Sequence, residues 1–441
     1  MSEQPARGGG DGGAATDRPA SPLTARLKAA TAHLPAPVAV VDLDRFDANV
    51  RDLLSRAGGM PVRLASKSVR VRPLIERALD AGFSGVMAYS PREARWLASQ
   101  GIDDVLVGYP SVDRAALAEL AADPVARRAV TLMIDSPLHL ELIADAVAAV
   151  TAAGVTAAAG AAEPTGESGS GTPGGAADPG EHFASLSVCL DVDASLRLAS
   201  AHLGVRRSPL RTPDDVGRLA SRVARTRGVR LRGLMFYEAQ VAGLPDSSPA
   251  VRLVKRLSVR DLDRRRPDLV AAARDAVGHD LDLVNSGGTG SLETSAAAPG
   301  VTEVTAGSGL YTPGLFDGYR AFRPRPAAFF GLDVVREPAP GWVTAFSGGY
   351  IASGPAATSR LPRVVTPGWQ LTGSEGAGEV QTPLRRRRSG RQEALRAGDR
   401  AWFRHAKAGE LMERFDEVHL VRGDEVVDSV PTYRGEGKNF G

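Results

Sequence analysis

The stretch Val62-Arg63-Leu64-Ala65-Ser66, followed directly by Lys67, opens a series of short, largely apolar runs that decide the fold. Eight such runs recur along the chain, at residues 62–66, 85–89, 105–108, 130–134, 186–190, 231–236, 281–284 and 302–305. Segments with helical spacing separate them, and Ser90-Pro91-Arg92-Glu93 supplies a cap, a proline at the first helical position and an early acid. Apolar strands that alternate with helices are typical of a parallel sheet covered on both faces, and eight units fit a (β/α)8 barrel. A doubly wound open sheet is the alternative.

The composition is that of an ordinary globular protein. The 441 residues are 43% hydrophobic and 24% charged, which excludes wholesale disorder, a disulfide scaffold and a fibrous repeat. The 54 basic residues are balanced by 51 acidic ones, so the net charge of +3 provides no broad field for nucleic acid. One cysteine, Cys189, permits no internal disulfide, and we find neither a signal peptide nor a long apolar span. We therefore expect a cytoplasmic protein that binds neither nucleic acid nor membrane.

Changes in composition divide the chain. Residues 1–20 and 155–182 are rich in Gly, Ala and Pro, which predicts a disordered tail and a flexible insertion in a barrel that covers residues 35–311. After Tyr311 the helical spacing gives way to short runs between Pro and Gly turns, so residues 312–441 are predicted to form a smaller β-rich domain. Residues 372–397 are interpreted as a flexible basic loop, and the arginine run 385–388 as solvated rather than as a nucleic-acid or membrane patch.

Polar residues that follow the apolar runs are the candidates for chemistry, because barrel enzymes place reacting groups at the C-terminal ends of strands. Lys67 ends the first run, where partial burial favours Schiff-base formation; an ordinary rim lysine is the alternative. After the seventh and eighth runs come two glycine-rich loops, residues 286–290 and 306–311, in which backbone amides can converge on a phosphate. Thr289, Ser308 and Tyr311 add hydroxyl donors. A lysine and two such loops together indicate pyridoxal 5′-phosphate.

Four stretches of the chain carry a resemblance to a known family: residues 37–44 (PVAVVDLD), 63–68 (RLASKS), 233–237 (GLMFY) and 286–289 (SGGT). The chain resembles the alanine-racemase-type barrel of pyridoxal-phosphate enzymes, fold type III, and more closely the branch of D-threonine aldolase and D-serine dehydratase. The resemblance implies that Lys67 forms the aldimine with the cofactor and that residues 287–290 (Gly287, Gly288, Thr289, Gly290) surround the phosphate with Tyr311. We also expect Ser286 and Ser308 at the cofactor, and Tyr237, which follows the sixth run, on the cofactor face. The resemblance further implies a homodimer.

Two departures from the family pattern bear on the chemistry. Metal-dependent members of the branch carry a cysteine or aspartate two residues after a histidine, but here His405 is followed by Lys407. Since a protonated amine cannot ligate a metal, we expect no divalent metal, with His405 as acid/base group and Lys407 as electrostatic support. The family's arginine after the fifth run is also displaced, which leaves Arg197, His202 and Arg206 as alternatives for approaching the cofactor.

These features predict a pyridoxal-phosphate-dependent lyase, an aldolase or a dehydratase, that acts on a small amino acid with D configuration and a β-hydroxyl group. An amino-acid racemase on the same barrel is the first alternative. A non-catalytic cofactor-binding protein and a cofactor-free Schiff-base aldolase are the others, and the long β-rich segment and the two glycine loops respectively count against them.

Overall fold

The computed structural model describes residues 22–160 and 185–441. The expected tail therefore lies outside the described residues, as does most of the expected insertion. Residues 155–160, at the start of that insertion, instead continue the helix Pro137–Gly160. This corrects the expected boundary, and the reason is that alanine-rich sequence has a high helix propensity.

The strands in chain order are β1 (Val38–Asp42), β2 (Val62–Ala65), β3 (Gly85–Ala88), β4 (Val105–Val107), β5 (Val130–Ile134), β6 (Leu186–Asp191), β7 (Leu196–Leu198), β8 (Ala201–Leu203), β9 (Val229–Phe236), β10 (Leu283–Ser286), β11 (Glu303–Ala306), β12 (Ala328–Ala339), β13 (Trp342–Phe346), β14 (Arg363–Val364), β15 (Trp369–Leu371), β16 (Gln381–Arg386), β17 (Arg400–Arg404), β18 (Glu417–Arg422) and β19 (Glu425–Pro431). The α-helices are α1 (Leu23–Ala30), α2 (Leu43–Arg56), α3 (Arg72–Asp80), α4 (Pro91–Ser99), α5 (Arg114–Ala122), α6 (Pro124–Ala129), α7 (Pro137–Gly160), α8 (Pro213–Arg225), α9 (Ala239–Ala242), α10 (Pro249–Val277), α11 (Leu292–Ala296) and α12 (Ser308–Tyr311).

Eight parallel strands close into a barrel, in the order β10-β11-β2-β3-β4-β5-β6-β9. The pairing of β11 with β2, in the register Val304 to Val62, completes the ring. These strands coincide with the eight apolar runs of the sequence, so the predicted (β/α)8 barrel is confirmed and the open-sheet alternative is wrong. The short hairpin β7–β8 follows β6 and lies outside the barrel.

The barrel interior contains an apolar cluster and a buried cluster of charged side chains. An apolar cluster there includes Leu106, Met133 and Cys189, and the cysteine is a free, fully buried thiol. Arg63, only 1% exposed, donates hydrogen bonds to Glu303 at 2.6 Å and to Asp104 at 2.8 Å. A buried guanidinium requires such carboxylate partners, because desolvation of an unpaired charge would be strongly destabilising.

A separate mixed sheet of nine strands follows the barrel, with β15-β16-β13-β12-β1-β18-β19 as its main path and β17 joined to β12 and β14. The predicted β-rich domain is confirmed, with two corrections. Strand β1 lies in this sheet, between β12 and β18, although it was expected in the barrel. Residues 381–386, expected in a loop, form β16, in which Arg385 pairs with Trp342 while the arginine side chains stay exposed.

Within residues 22–160 and 185–441, no helix combines the length and the apolar character needed to cross a membrane.

Candidate active site

A cavity of about 300 Å³ lies at the carboxyl ends of the barrel strands. Its walls come from the turns that follow β2, β4, β9, β10 and β11, and from residues 407, 408 and 410 of the second domain. Both parts of the fold therefore build the site. The carboxyl ends are where barrel enzymes carry their reacting groups.

Lys67 enters this cavity from a single turn of 3-10 helix, Ser66–Ser68, that directly follows β2. Its side chain is exposed, and its amine is hydrogen-bonded to the hydroxyl of Tyr109, which follows β4. The amine lies 5.0 Å from the centroid of the Tyr109 ring. The structure thus places the predicted lysine at the mouth of the barrel with a phenol beside it, a partner that the sequence reasoning missed.

The first glycine loop also lines the cavity, through Gly287, Gly288 and Thr289. Gly287 has a φ of +88°, a conformation that L side chains rarely adopt, and a Cβ on Gly288 would lie 2.8 Å from the Cβ of Ala242. The cradle is therefore closed to any side chain at these positions. Gly290 does not line the cavity, because it packs against Ala242 and Tyr319.

The second glycine loop contributes Gly307 and Ser308. The backbone amides of Thr289 and Ser308 make no turn, cap or side-chain hydrogen bond within the described residues. The hydroxyls of Ser308 and Ser68 are 3.3 Å apart. Free amides and hydroxyls that converge on one cavity are the donors that a phosphate group requires.

Glu238 holds the first loop in shape, and sequence reasoning gave it no such role. This carboxylate is 3% exposed and accepts a hydrogen bond from the Gly287 amide at 3.1 Å. It also accepts from the hydroxyls of Ser286 at 3.2 Å, Ser291 at 3.0 Å and Ser295 at 2.6 Å. Ser286 is therefore a supporting residue below the loop, which corrects its expected place at the cofactor. The three serines within ten residues of the loop are the signal that could have revealed this arrangement.

Tyr237 lines the cavity as expected, next to an arginine that was not expected. The guanidinium carbon of Arg207 lies 5.4 Å from the centroid of the Tyr237 ring and 5.8 Å from that of Tyr109. Burial raises the pKa of Tyr237, so this phenol stays neutral. Arg207 forms no ion pair with any carboxylate of the described chain.

The three residues expected as alternatives for approaching the cofactor, Arg197, His202 and Arg206, lie elsewhere. Arg197 is paired with Asp193 at 2.7 Å, the ring of His202 contacts the carbonyl of Val205 at 3.2 Å, and Arg206 points to solvent. None of them lines the cavity. Arg207, the residue after Arg206, lines the cavity instead.

Tyr311 is a second correction. It is fully buried, and its hydroxyl donates a hydrogen bond to the carbonyl of Val69 at 3.1 Å. Its ring packs against those of Phe46 and His405, each with 6.1 Å between the ring centroids. Since Tyr311 does not line the cavity, it supports the turn after Lys67 rather than binding a phosphate.

His405 lies outside the main cavity and lines a neighbouring one of about 340 Å³. Its side chain is buried, and neither ring nitrogen has a hydrogen-bond partner among the described residues. Burial, together with the charge of Arg404, lowers the pKa of His405 to about 3. His405 does not line the cavity that holds Lys67, and its role as an acid/base group stays a prediction.

Lys407 lines both cavities, together with Glu410. Its amine donates a hydrogen bond to the hydroxyl of Ser353 at 2.7 Å and lies 3.7 Å from the carboxylate of Glu410. Nowhere in the described ranges do three or more His, Cys, Asp or Glu side chains come together in a way that could hold a metal ion. His405 is therefore not part of such a group in the described residues.

The barrel, the following β domain and the lysine after the first barrel strand together define an alanine-racemase-type fold, fold type III. D-threonine aldolase from Filomicrobium marinum has this fold, with a TM-score of 0.69 and 20% identity over 91% of this chain and 96% of that one. D-threo-3-hydroxyaspartate dehydratase from Delftia sp. HT23 is similar with a TM-score of 0.64 and 22% identity, over 91% of this chain and 98% of that one.

Alanine racemase from Corynebacterium glutamicum is also similar, with a TM-score of 0.52 and 16% identity over 83% of this chain and 89% of that one. No protein-family model and no curated protein sequence matches the chain. The comparisons therefore establish a fold shared with an aldolase, a dehydratase and a racemase.

Proposed function

We propose that the protein is a pyridoxal-phosphate-dependent lyase that acts on a small D-amino acid with a β-hydroxyl group. One observation carries the proposal: the exposed amine of Lys67 shares a single cavity with a glycine cradle that has free amide and hydroxyl donors. An amine for covalent attachment and a cradle for phosphate are the two features that this cofactor needs.

The described residues fit the cofactor. Thr289, Ser308 and Ser68 would hold its phosphate, Lys67 its aldehyde carbon, and Tyr237 would lie beside its ring. When bound, pyridoxal phosphate withdraws electrons from the substrate Cα, so that a bond to that carbon becomes easier to break. The similarity in fold to the aldolase and the dehydratase supports the same assignment.

Arg207 is the candidate for binding the substrate carboxylate. It lines the cavity and makes no salt bridge with a described residue, although the buried carboxyl of Asp191 is near enough to interact with its charge. The planar guanidinium can accept a carboxylate through two parallel hydrogen bonds, which fixes the orientation of the substrate as well as its position. The two phenol rings on either side of Arg207 restrict its motion.

We assign proton transfer at the substrate Cα to the amine of Lys67. Its amine is hydrogen-bonded to the Tyr109 hydroxyl, so that a proton on the amine has a fixed direction within the cavity. Lys67 and Tyr109 belong to the barrel, whereas the groups for the β-hydroxyl belong to the second domain.

Lys407 and Glu410 line the same cavity, and we assign to them proton transfer at the substrate β-hydroxyl. The Lys407 ammonium can donate a proton to a departing hydroxyl, which leads to dehydration and deamination. The Glu410 carboxylate can instead accept the hydroxyl proton, which leads to cleavage of the Cα–Cβ bond. Lys407 occupies the position of a metal ligand in the metal-dependent branch, so we propose that its charge replaces that of a cation.

A product panel tests the proposal. The protein loaded with pyridoxal phosphate is given D- and L-serine, D- and L-threonine and the threo and erythro forms of D-3-hydroxyaspartate, and aldehyde, ammonia and amino-acid configuration are measured. We expect turnover of D substrates only, to an aldehyde or to ammonia. Interconversion of D- and L-alanine without either product would identify a racemase instead.

We further propose, on the resemblance alone, that the active form is a homodimer; full activity in a species that sediments as a monomer would contradict this.

A further inference from the structure

Glu93 is a buried carboxylate that the proposed chemistry does not use. It lies in the first turn of α4, is fully buried, and makes no ion pair within the described chain. Its oxygens are satisfied by hydrogen-bond donors instead. Oε2 accepts from the Tyr89 amide at 2.7 Å and Oε1 accepts from the hydroxyl of Tyr433 at 3.0 Å. Such donors are required for a buried carboxylate to be tolerated.

Two groups near the Glu93 carboxylate, Ser66 and Tyr433, connect it to the turn that carries Lys67. The hydroxyl of Ser66, the residue directly before Lys67, donates a hydrogen bond to the carbonyl of Met87 at 3.0 Å and lies near the Glu93 carboxylate and the Tyr433 hydroxyl. Tyr433 in turn donates its backbone amide to the carbonyl of Arg70 at 2.9 Å. Tyr433 therefore contacts the Lys67 turn at its start and just beyond its end.

Aromatic packing holds Tyr433 in place. Its ring is 1% exposed and meets the ring of Trp96 edge-on, with 4.9 Å between centroids, and that of Phe440 at 5.8 Å. Residues 432–441 thus form a C-terminal segment that is packed against α4. Within this segment, the Tyr433 hydroxyl is the group that donates a hydrogen bond to the carboxylate of Glu93.

The second domain packs against the Lys67 turn from another side. Gly409, at a φ of +83°, approaches so closely that a Cβ there would lie 1.8 Å from the carbonyl oxygen of Lys67. The side chain of Arg70 donates to the same oxygen at 3.2 Å. The backbone of Lys67 is therefore enclosed, and its side chain is the part that reaches the cavity.

We infer that Glu93 is a positioning residue: through Tyr433 it fixes the C-terminal segment against the Lys67 turn and so sets where the Lys67 amine lies. The inference rests on the proposed function, in which that amine carries the cofactor. Displacement of a reacting group by about 1 Å can lower a rate by about a hundredfold, so small shifts of this turn matter.

Four variants test it. Tyr433→Phe removes the hydroxyl and keeps the ring, and Glu93→Ala removes the carboxylate. Glu93→Gln keeps the contact, because its amide can accept from the Tyr89 amide and donate to the Tyr433 hydroxyl. The control is Arg434→Ala, in the same segment, where an arginine that is 58% exposed pairs with Asp416 at the surface. If Glu93→Ala does not fold, Tyr433→Phe decides.

Two readouts separate positioning from stability. In the cofactor-free protein, the rate at which Lys67 reacts with trinitrobenzenesulfonate is followed by peptide mapping, and we expect a change of about threefold or more in Tyr433→Phe and Glu93→Ala. In the loaded protein, the pH midpoint of the visible absorption band should move by about half a unit in the same two variants. Glu93→Gln and Arg434→Ala should match the parent in both.

Parent-like values in Tyr433→Phe, with the fold intact, would overturn the inference while leaving the proposed function in place. A parent that forms no visible band with pyridoxal phosphate would overturn both.

Discussion

The amine of Lys67 and the hydroxyl of Tyr109 are in hydrogen-bond contact across the mouth of the barrel, the one following β2 and the other β4. These strands are not neighbours, since β3 lies between them. The contact therefore depends on the curvature of the sheet across these three strands, and it gives the amine a hydrogen-bond partner within the protein.

Replacement of Tyr109 by phenylalanine tests the importance of this contact. The ring remains and the hydroxyl is lost, so the Lys67 amine loses its fixed direction; we expect kcat to fall by about tenfold to a hundredfold, with KM changed by about twofold at most. The matched control is Tyr319→Phe, because Tyr319 lines the same cavity but donates its hydroxyl to the carbonyl of Ala242 at 2.8 Å. Equal effects of the two substitutions would argue against a role for the Tyr109 hydroxyl.

Valine in place of Gly288 should weaken cofactor retention. Its Cβ would lie 2.8 Å from the Cβ of Ala242, so the loop must shift away from the position in which its amides converge. We expect a loss of affinity for pyridoxal phosphate of about tenfold or more, measured by equilibrium dialysis. Gly373→Val is the control, because a Cβ at Gly373 meets no atom within 4 Å. Cofactor binding as tight as in the parent would show that the loop does not hold the phosphate.

The sequence was sufficient for the barrel, because each strand is a largely apolar run, and the turns after five of the runs line the cavity. Lys67 and the loop after β10 were found for that reason. The role of Glu238 was missed because its four hydrogen-bond donors come together only when β9 and β10 pair. Residues 38–42 were included in the barrel domain because they precede the first barrel run in the chain, and their pairing with β12 and β18 joins segments far apart in sequence.

Tyr311 and His405 lie away from the cavity for a common reason. Tyr311 was assigned from the second glycine loop and the resemblance, and His405 from the family's metal motif, but neither a loop nor a motif determines which way a side chain points. In the structure both rings pack against each other in the core. Arg207, by contrast, makes no salt bridge with a described residue and lies in the cavity between two tyrosine rings. Only the fold distinguishes it from the adjacent Arg206.

Chelation should leave the activity of the parent unchanged, since Lys407 occupies a ligand position and no described cluster can hold a metal. Exhaustive dialysis against EDTA followed by the product assay checks this. In Lys407→Cys we expect activity to fall and to depend on added zinc or manganese, because the thiolate replaces an ammonium. Loss of parent activity on chelation, with recovery on metal addition, would refute the metal-independent proposal.

Glu93 should make the stability of the fold depend on pH. Burial raises the pKa of Glu93 from 4.5 to about 7, so the folded state prefers the protonated acid. Stability from this group is therefore present below about pH 4.5 and is lost as the pH rises through about 7, by up to about 3 kcal/mol. Denaturant unfolding from pH 4 to 8 should show this loss in the parent and not in Glu93→Gln. The exposed Glu375→Gln should behave as the parent; a parallel pH profile in all three proteins would contradict the assignment.

Covalent attachment of the cofactor to Lys67 is the central claim, and borohydride reduction tests it most directly. The protein is incubated with pyridoxal phosphate, reduced and digested, and the modified peptides are identified by mass spectrometry. We predict a single pyridoxyl label on Lys67 and none in Lys67→Ala. A label on Lys407, which lines the same cavity, or no label at all, would contradict the account.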